Sequence, residues 1–283
     1  MEVVEQGYNN KMKLNPSHKT LNEAAYHCLI TRDVEKKIAL THWIKKQYEA
    51  KALSIQPEFI PREKICAGFP DKPMLVPFNQ LPKRTVAGSK GHAAMIHAFA
   101  HIEFNAINIA LDAICRFPGL AVEFYADWLQ ITHEEAIHFQ LLREYLQTLG
   151  YDYGSFPAHA GLWEMVELTA DDVMVRMALV PRVLEARGLD VTPDIIQRFY
   201  HHRYQRAAEI LEIIYHDEIG HVETGSRWFN YFCTQRGLDS EATFAALIEA
   251  YAADKIRQPF NIDARERAGF SVKEMEYLHS CTN

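Results

Sequence analysis

Two stretches of this chain, Glu135-Ala-Ile-His138 and Glu218-Ile-Gly-His221, set a carboxylate and an imidazole three residues apart inside strongly apolar helical runs. On a helix that spacing turns the second side chain about 60° from the first, so both reach one point. Buried carboxylates are unfavourable unless something pairs with them. The chain must therefore fold so that its apolar helix faces bring these acids a partner. The spacing alone is a weak signal, since Glu276-Tyr-Leu-His279 near the carboxyl terminus matches it too. Its surroundings lack the apolar company of the other two, and it is read as a decoy.

Each of the first two pairs follows a helical pattern with a lone glutamate in an apolar stripe. Around Glu103 the same face carries Ile96, Phe99, Ala100, Ala106, Ile107 and Ala110. Around Glu185 it carries Met174, Ala178 and Pro181. Glu103 precedes Glu135 by 32 residues and Glu185 precedes Glu218 by 33, a two-fold echo in the chemistry. Four inward-facing carboxylates repel one another and resist ionisation. Two divalent ions neutralise them, and His138 and His221 complete the coordination. The expected metal ligands are thus Glu103, Glu135, His138, Glu185, Glu218 and His221. Carboxylate oxygens with imidazole suit iron, with manganese or zinc as alternatives.

Helical periodicity dominates the rest of the chain and predicts an all-α fold. A helix starts at Thr20-x-x-Glu23 and runs to about Ala50. Residues 56–88, with six prolines, form an irregular wrap. A second long helix spans about Ser89 to Arg116 and stops at Phe117-Pro-Gly119. A third follows to about Leu149, antiparallel to it, so that Glu103 and Glu135 lie roughly 21 and 24 Å from the turn. Residues 150–161 connect to a helical pattern that reaches Gly188, with a kink or bulge at Pro181. Pro193 starts the next helical region, to about Cys233, and an offset near Phe199–Arg203 is needed to bring Glu185 and Glu218 level. The tail adds one amphipathic helix and the segment QPFNIDARERAG. The expected organisation is an amino-terminal helix and wrap (1–88), a bundle (89–233) and a carboxyl-terminal helical extension (234–283), packed as one structural unit.

One Glu from each of two helices with Glu-x-x-His from each of two others is the constellation of ferritin-like di-metal carboxylate proteins. With HAFAHIEFNAINIALDAICRF (97–117), LVPRVLEARGLDVTP (179–193), YHDEIGHV (215–222) and PFNIDARERAGF (259–270), the chain resembles the ferritin-like superfamily. More closely it resembles a family of bacterial ferritin-like proteins of unknown function. The resemblance covers most of the chain from about residue 20. It implies a four-helix bundle with a long crossover between its second and third helices, and it supplies no substrate.

Asp217 and Glu134 each precede a ligand glutamate and are candidates to orient a ligand histidine. Tyr215 is a candidate electron or proton relay, and Arg182 a candidate partner for an anionic substrate or for the cluster's own carboxylates. His92, His97 and His101 are read as structural. His201, His202 and Arg203 make a small basic patch.

The net charge of −7, without a basic run, argues against nucleic acid, although tRNA stays open as a substrate. Cys28, Cys66, Cys115, Cys233 and Cys281 form no CxxC pair, which argues for reduced thiols and against a zinc ribbon or rubredoxin site. Neither a signal-peptide core nor an apolar run of membrane-spanning length is read from the sequence, so a cytoplasmic location is expected. The expected function is an O₂-activating di-iron oxidoreductase, of the hydroxylase kind, acting on an unidentified small molecule with an electron donor. Iron handling or peroxide detoxification, and a non-redox metal protein or hydrolase, are the alternatives. A dimer is the oligomer considered, without commitment.

Overall fold

Phe117-Pro118-Gly119 ends the longest apolar helical pattern where the sequence places its end. In the computed structural model, which describes residues 18–61, 65–82, 84–86 and 88–282, that helix is α3 (Ser89–Arg116). Before it come α1 (Leu21–Ile30) and α2 (Val34–Glu49). After it come α4 (Val122–Thr148), α5 (Gly161–Leu168), α6 (Val173–Leu179), a π-helical segment (Val180–Glu185) and α7 (Ala186–His201). The chain continues through α8 (Gln205–Gln235), α9 (Ser240–Tyr251), α10 (Ile262–Arg267) and α11 (Val272–Ser280). The fold is an all-α helical bundle, with only isolated bridges and no strand among the described residues. The amino-terminal stretch read for a signal peptide lies outside the described residues.

Contacts divide the chain into two units whose boundaries fall inside α3 and α4. The first unit holds the residues up to Leu81, His97–Gln140 and Asp152–Ala158. Its opening helix is two helices, not one. Thr20 caps α1 by accepting from the Glu23 amide, as the sequence predicts. The chain then breaks at 31–33, where Asp33 caps α2 by accepting from the Lys36 amide at 2.7 Å. Asp is a preferred cap residue, and helical periodicity masks it here. The described residues of 56–82 are irregular apart from a 3₁₀ turn at Phe78–Gln80 and an isolated bridge at Leu75. The turn between α3 and α4 uses Gly119 at a positive φ of 76°, where a side chain is strained. Tyr125 fastens it, its hydroxyl donating to the Phe117 carbonyl at 2.8 Å and accepting from the Leu120 amide.

α3 is also long and apolar enough to cross a membrane, which corrects the expectation that no run approaches that length. Of its most apolar window, 83% is buried within the protein.

The second unit holds Pro82–Ile96, Leu141–Tyr151 and the chain from His159 onward. Here three expectations change. The pattern from 161 to 188 is interrupted at 169–172, where Asp172 caps α6 by accepting from the Met174 amide. Gly188 does not end a helix and Pro193 does not start one, since α7 runs through both. The turn falls instead at 202–204, with Arg203 at φ 62°, inside the region where an offset was required. The expected bulge at Pro181 is present as the π-helical segment. Pro181 removes a backbone donor, and a π turn is one way a helix absorbs that loss. Gly225 on α8 lets the two elements close, because a Cβ there would overlap the Pro181 ring. The tail holds three α-helices, α9, α10 and α11, where one was expected.

Candidate metal centre

In the first unit α3 and α4 deliver three side chains to one point. Glu103, Glu135 and His138 are all buried, and their ligand atoms lie within 4.8 Å of one another. His138 Nδ1 stands 3.4 Å from Glu103 Oε2 and 3.4 Å from Glu135 Oε2. Glu103 Oε2 has no hydrogen-bond partner despite that approach, because the contact is not aligned as a hydrogen bond. Burial, and then the neighbouring Glu135 carboxylate, hold the Glu103 carboxyl well above the usual carboxylate range. An imidazole and two buried carboxylates, one with an orphaned oxygen, fit a divalent cation. Such an ion takes the lone pairs of the orphaned Glu103 oxygen and cancels the repulsion.

Aromatic residues follow two members of this set in the sequence and pack on one another. Phe104 follows Glu103, and its ring lies 5.4 Å from Phe139, which follows His138. Tyr153 contacts both at 5.2 and 5.1 Å. His101 and His97 both stack on Tyr153. The Tyr153 hydroxyl is 2.9 Å from His101 Nδ1, and the Gly154 amide donates to His97 Nε2 at 2.9 Å. Glu134 lies half-buried and accepts from Gln130 Nε2 at 2.6 Å.

In the second unit Glu218 and His221 share one face of α8, with Glu218 Oε1 3.7 Å from His221 Nδ1. His221 is buried, whereas Glu218 and Asp217 are half-buried. Glu185 is the last residue of the π-helical segment. It lies 18 residues before Arg203 and Glu218 lies 15 after it. At 1.5 Å per residue those distances are roughly 27 and 22 Å, so the two glutamates stand within one turn of each other in height on packed helices. The turn at 202–204 brings the two glutamates near one height, but among the described residues no close group of ligand atoms includes Glu185.

Two candidates acquire structural partners. Arg182 is fully buried and donates to both carboxylate oxygens of Glu274 at 2.8 Å, so it serves neither a substrate anion nor the expected ligand carboxylates. The Tyr215 hydroxyl accepts from Asn261 Nδ2 at 3.0 Å, which ties it to the tail. His92 stacks on Tyr204 at 3.8 Å and meets the Tyr145 hydroxyl at 2.9 Å, in the role of an end-of-helix residue. His201, His202 and Arg203 are exposed at the turn. Glu276 of the decoy pair is exposed, and His279 packs on Phe260 at 5.0 Å.

Sequence reasoning missed the buried network of the tail. Arg265 donates from Nε and Nη2 to the two oxygens of Asp190, each at 2.8 Å. Asn261 donates to the Leu189 carbonyl. Arg187 donates to the carbonyls of Arg257, Pro259 and Gln258. The available signal was the capping box Ser271-x-x-Glu274, which is formed in both directions.

Taken together, helices and side chains define an all-α protein with glutamate–histidine groups spaced closely enough to hold a metal ion. The chain belongs to the family described as a protein of unknown function (DUF455), whose profile matches residues 30–276. It is 47% identical over 230 residues to an uncharacterised protein of Haemophilus influenzae, covering 79% of this chain and 80% of that one. No solved structure matches it. The family match spans both glutamate–histidine sets and the tail as far as Glu276.

Proposed function

We propose that this chain is a ferritin-like di-metal carboxylate protein, with iron as its metal, and that it is an oxidoreductase activating O₂ on a small organic substrate. One ion is held by Glu103, Glu135 and His138, and the other by Glu185, Glu218 and His221. The observation that carries this reading is the buried triad of Glu103, Glu135 and His138, in which one Glu103 oxygen has no hydrogen-bond partner. Two such sets carry four carboxylates, which two divalent ions neutralise. When bound, a pair of ferrous ions supplies the electrons that reduce O₂ to an oxidant.

The chain's own residues do the rest. Glu103, Glu135 and His138 hold and orient the first ion. Burial of all three side chains keeps water from it, which strengthens every electrostatic interaction in the set. Glu134 and Asp217 flank ligand glutamates and are proposed to orient the histidines. Substrate and electron donor are unassigned.

The test is metal content per chain after expression in iron-sufficient medium, followed by anaerobic reduction and O₂ exposure under a spectrometer. About two irons, with a near-ultraviolet charge-transfer band that develops on exposure, support the reading. Zinc alone, or no response to O₂, overturns the redox assignment. Glu103→Gln separates a metal site from a structural polar cluster. Removing one of two repelling buried carboxylates should stabilise the metal-free protein by on the order of 1–3 kcal/mol while abolishing binding at that set. Unchanged metal stoichiometry would sink the ligand assignment.

A further inference from the structure

The π-helical segment Val180–Glu185 carries a ligand of the proposed centre at its last position, so its register decides where that carboxylate points. A π turn holds one residue more than an α turn. If the extra residue relaxes or migrates, the helix on one side rotates by about 100° relative to the other. The Glu185 side chain then turns by the same angle about the helix axis. Something must hold the bulge in place, and the tail of the chain supplies it.

Three residues before Glu185, Arg182 is 1% exposed. Its Nη2 is bound by both oxygens of Glu274, and its Nε donates to Ser226 Oγ at 3.0 Å. The guanidinium also lies 4.2 to 4.8 Å from the ring centres of Phe229, Phe244 and Phe270. On the other side of Glu185, Arg265 donates to the Ala186 carbonyl at 3.5 Å and to both oxygens of Asp190. One turn further, Pro193 leaves the Leu189 carbonyl without its helical donor. Asn261 Nδ2 takes that carbonyl at 3.2 Å, and also donates to Tyr215, one turn before Glu218. The tail thus grips α7, the π segment and α8 on both sides of Glu185, through groups that are mostly buried and charge-assisted.

We propose that residues 257–274 form a positioning clamp for the metal centre, in which Glu274, Arg265 and Asn261 hold the π-helical register that presents Glu185 to the ion shared with Glu218 and His221. Glu274, Arg265 and Asn261 are positioning residues and touch no metal. The clamp rests on the di-metal reading and deepens it.

The test uses the full-length protein stripped of metal and titrated with Co²⁺, read by stoichiometry and by visible absorption. Wild type should take about two ions per chain. Glu274→Gln and Asn261→Ala should keep the ion on Glu103, Glu135 and His138. They should bind the second ion at least about tenfold more weakly, with an altered absorption spectrum and unchanged helix content by circular dichroism. Glu274→Ala removes the acceptor for Arg182 outright and should be worse than Glu274→Gln, which retains one oxygen. If Glu274→Ala fails to fold, Asn261→Ala still decides, since its side chain is half-buried and neutral. A merely structural tail lowers the melting temperature of these variants and leaves both affinities and the spectrum at wild-type values. That result overturns the clamp and leaves the di-metal reading standing. A wild-type protein that binds neither Co²⁺ nor iron overturns both.

Discussion

Gly225→Ala sets two magnitudes against each other inside one helix. Alanine in place of glycine in a helix interior gains about 1 kcal/mol from backbone entropy. At Gly225, however, the new Cβ would overlap Cβ and Cγ of Pro181. A proline ring cannot rotate aside, and Arg182 next to it is locked by Glu274 and Ser226. Overpacking of this kind costs typically 1–3 kcal/mol, and a rigid neighbour puts it near the top of that range. The net expectation is a loss of about 1–2 kcal/mol. Gly220 is the internal control. It lies in α8 as well, is exposed, and a Cβ there meets nothing within 4 Å. Gly220→Ala should therefore keep the propensity gain and stabilise by up to about 1 kcal/mol. Urea midpoints of the metal-free proteins, at equal m-values, give the two changes without interference from the ligands flanking Gly220. Opposite signs are required. A Gly225→Ala protein as stable as Gly220→Ala would refute the claim that close approach of α8 to the bulge is what glycine provides here.

Two further perturbations test other parts of the reading. Lys37 is wholly buried, donating to the Leu29 carbonyl at 2.7 Å and to Asn108 Oδ1 at 2.6 Å, and burial pushes its ammonium down to about 8. Between pH 8 and its ordinary 10.5 the unfolded chain holds a proton that the folded chain has released, so stability rises with pH across that window. The wild-type minus Lys37→Met difference in unfolding free energy should climb by about 3 kcal/mol there, and a flat difference refutes the assignment. Glu276→Ala and His279→Ala, at the decoy pair, should leave metal stoichiometry unchanged, whereas loss of an ion from either would require a ligand set including the tail.

Much of the candidate metal centre is legible in the sequence because its signals are local. The i, i+3 spacing of Glu135 and His138 needs no tertiary knowledge, and Phe117-Pro-Gly119 fixes the turn that brings Glu103 level with them. The segmentation of the second half is not legible, for a physical reason. Pro193 reads as a helix start because a proline inside a helix orphans the carbonyl four residues earlier. That carbonyl, Leu189, is taken by Asn261, 72 residues away, and no local pattern announces it. Arg182 reads as a free cation beside a ligand because Glu274 lies 92 residues on. The break at Thr31–Asp33 was open to reading, since Asp33 is a good cap, but the apolar period continues across it and wins.

The motifs that carry the family resemblance gain a meaning from the same contacts. LEARGLD and PFNIDARERAG stand about 70 residues apart and look independent as text. In space, Asp190 of the first is held by Arg265 and by the Asn261 amide of the second. Arg187 of the first binds the backbone that leads into the second. They are two halves of one contact surface, and Glu185 lies within the first. A substitution in the second motif is therefore a perturbation of Glu185 delivered from a distance. The proposed centre should be sensitive to residues that share neither its helices nor its chemistry.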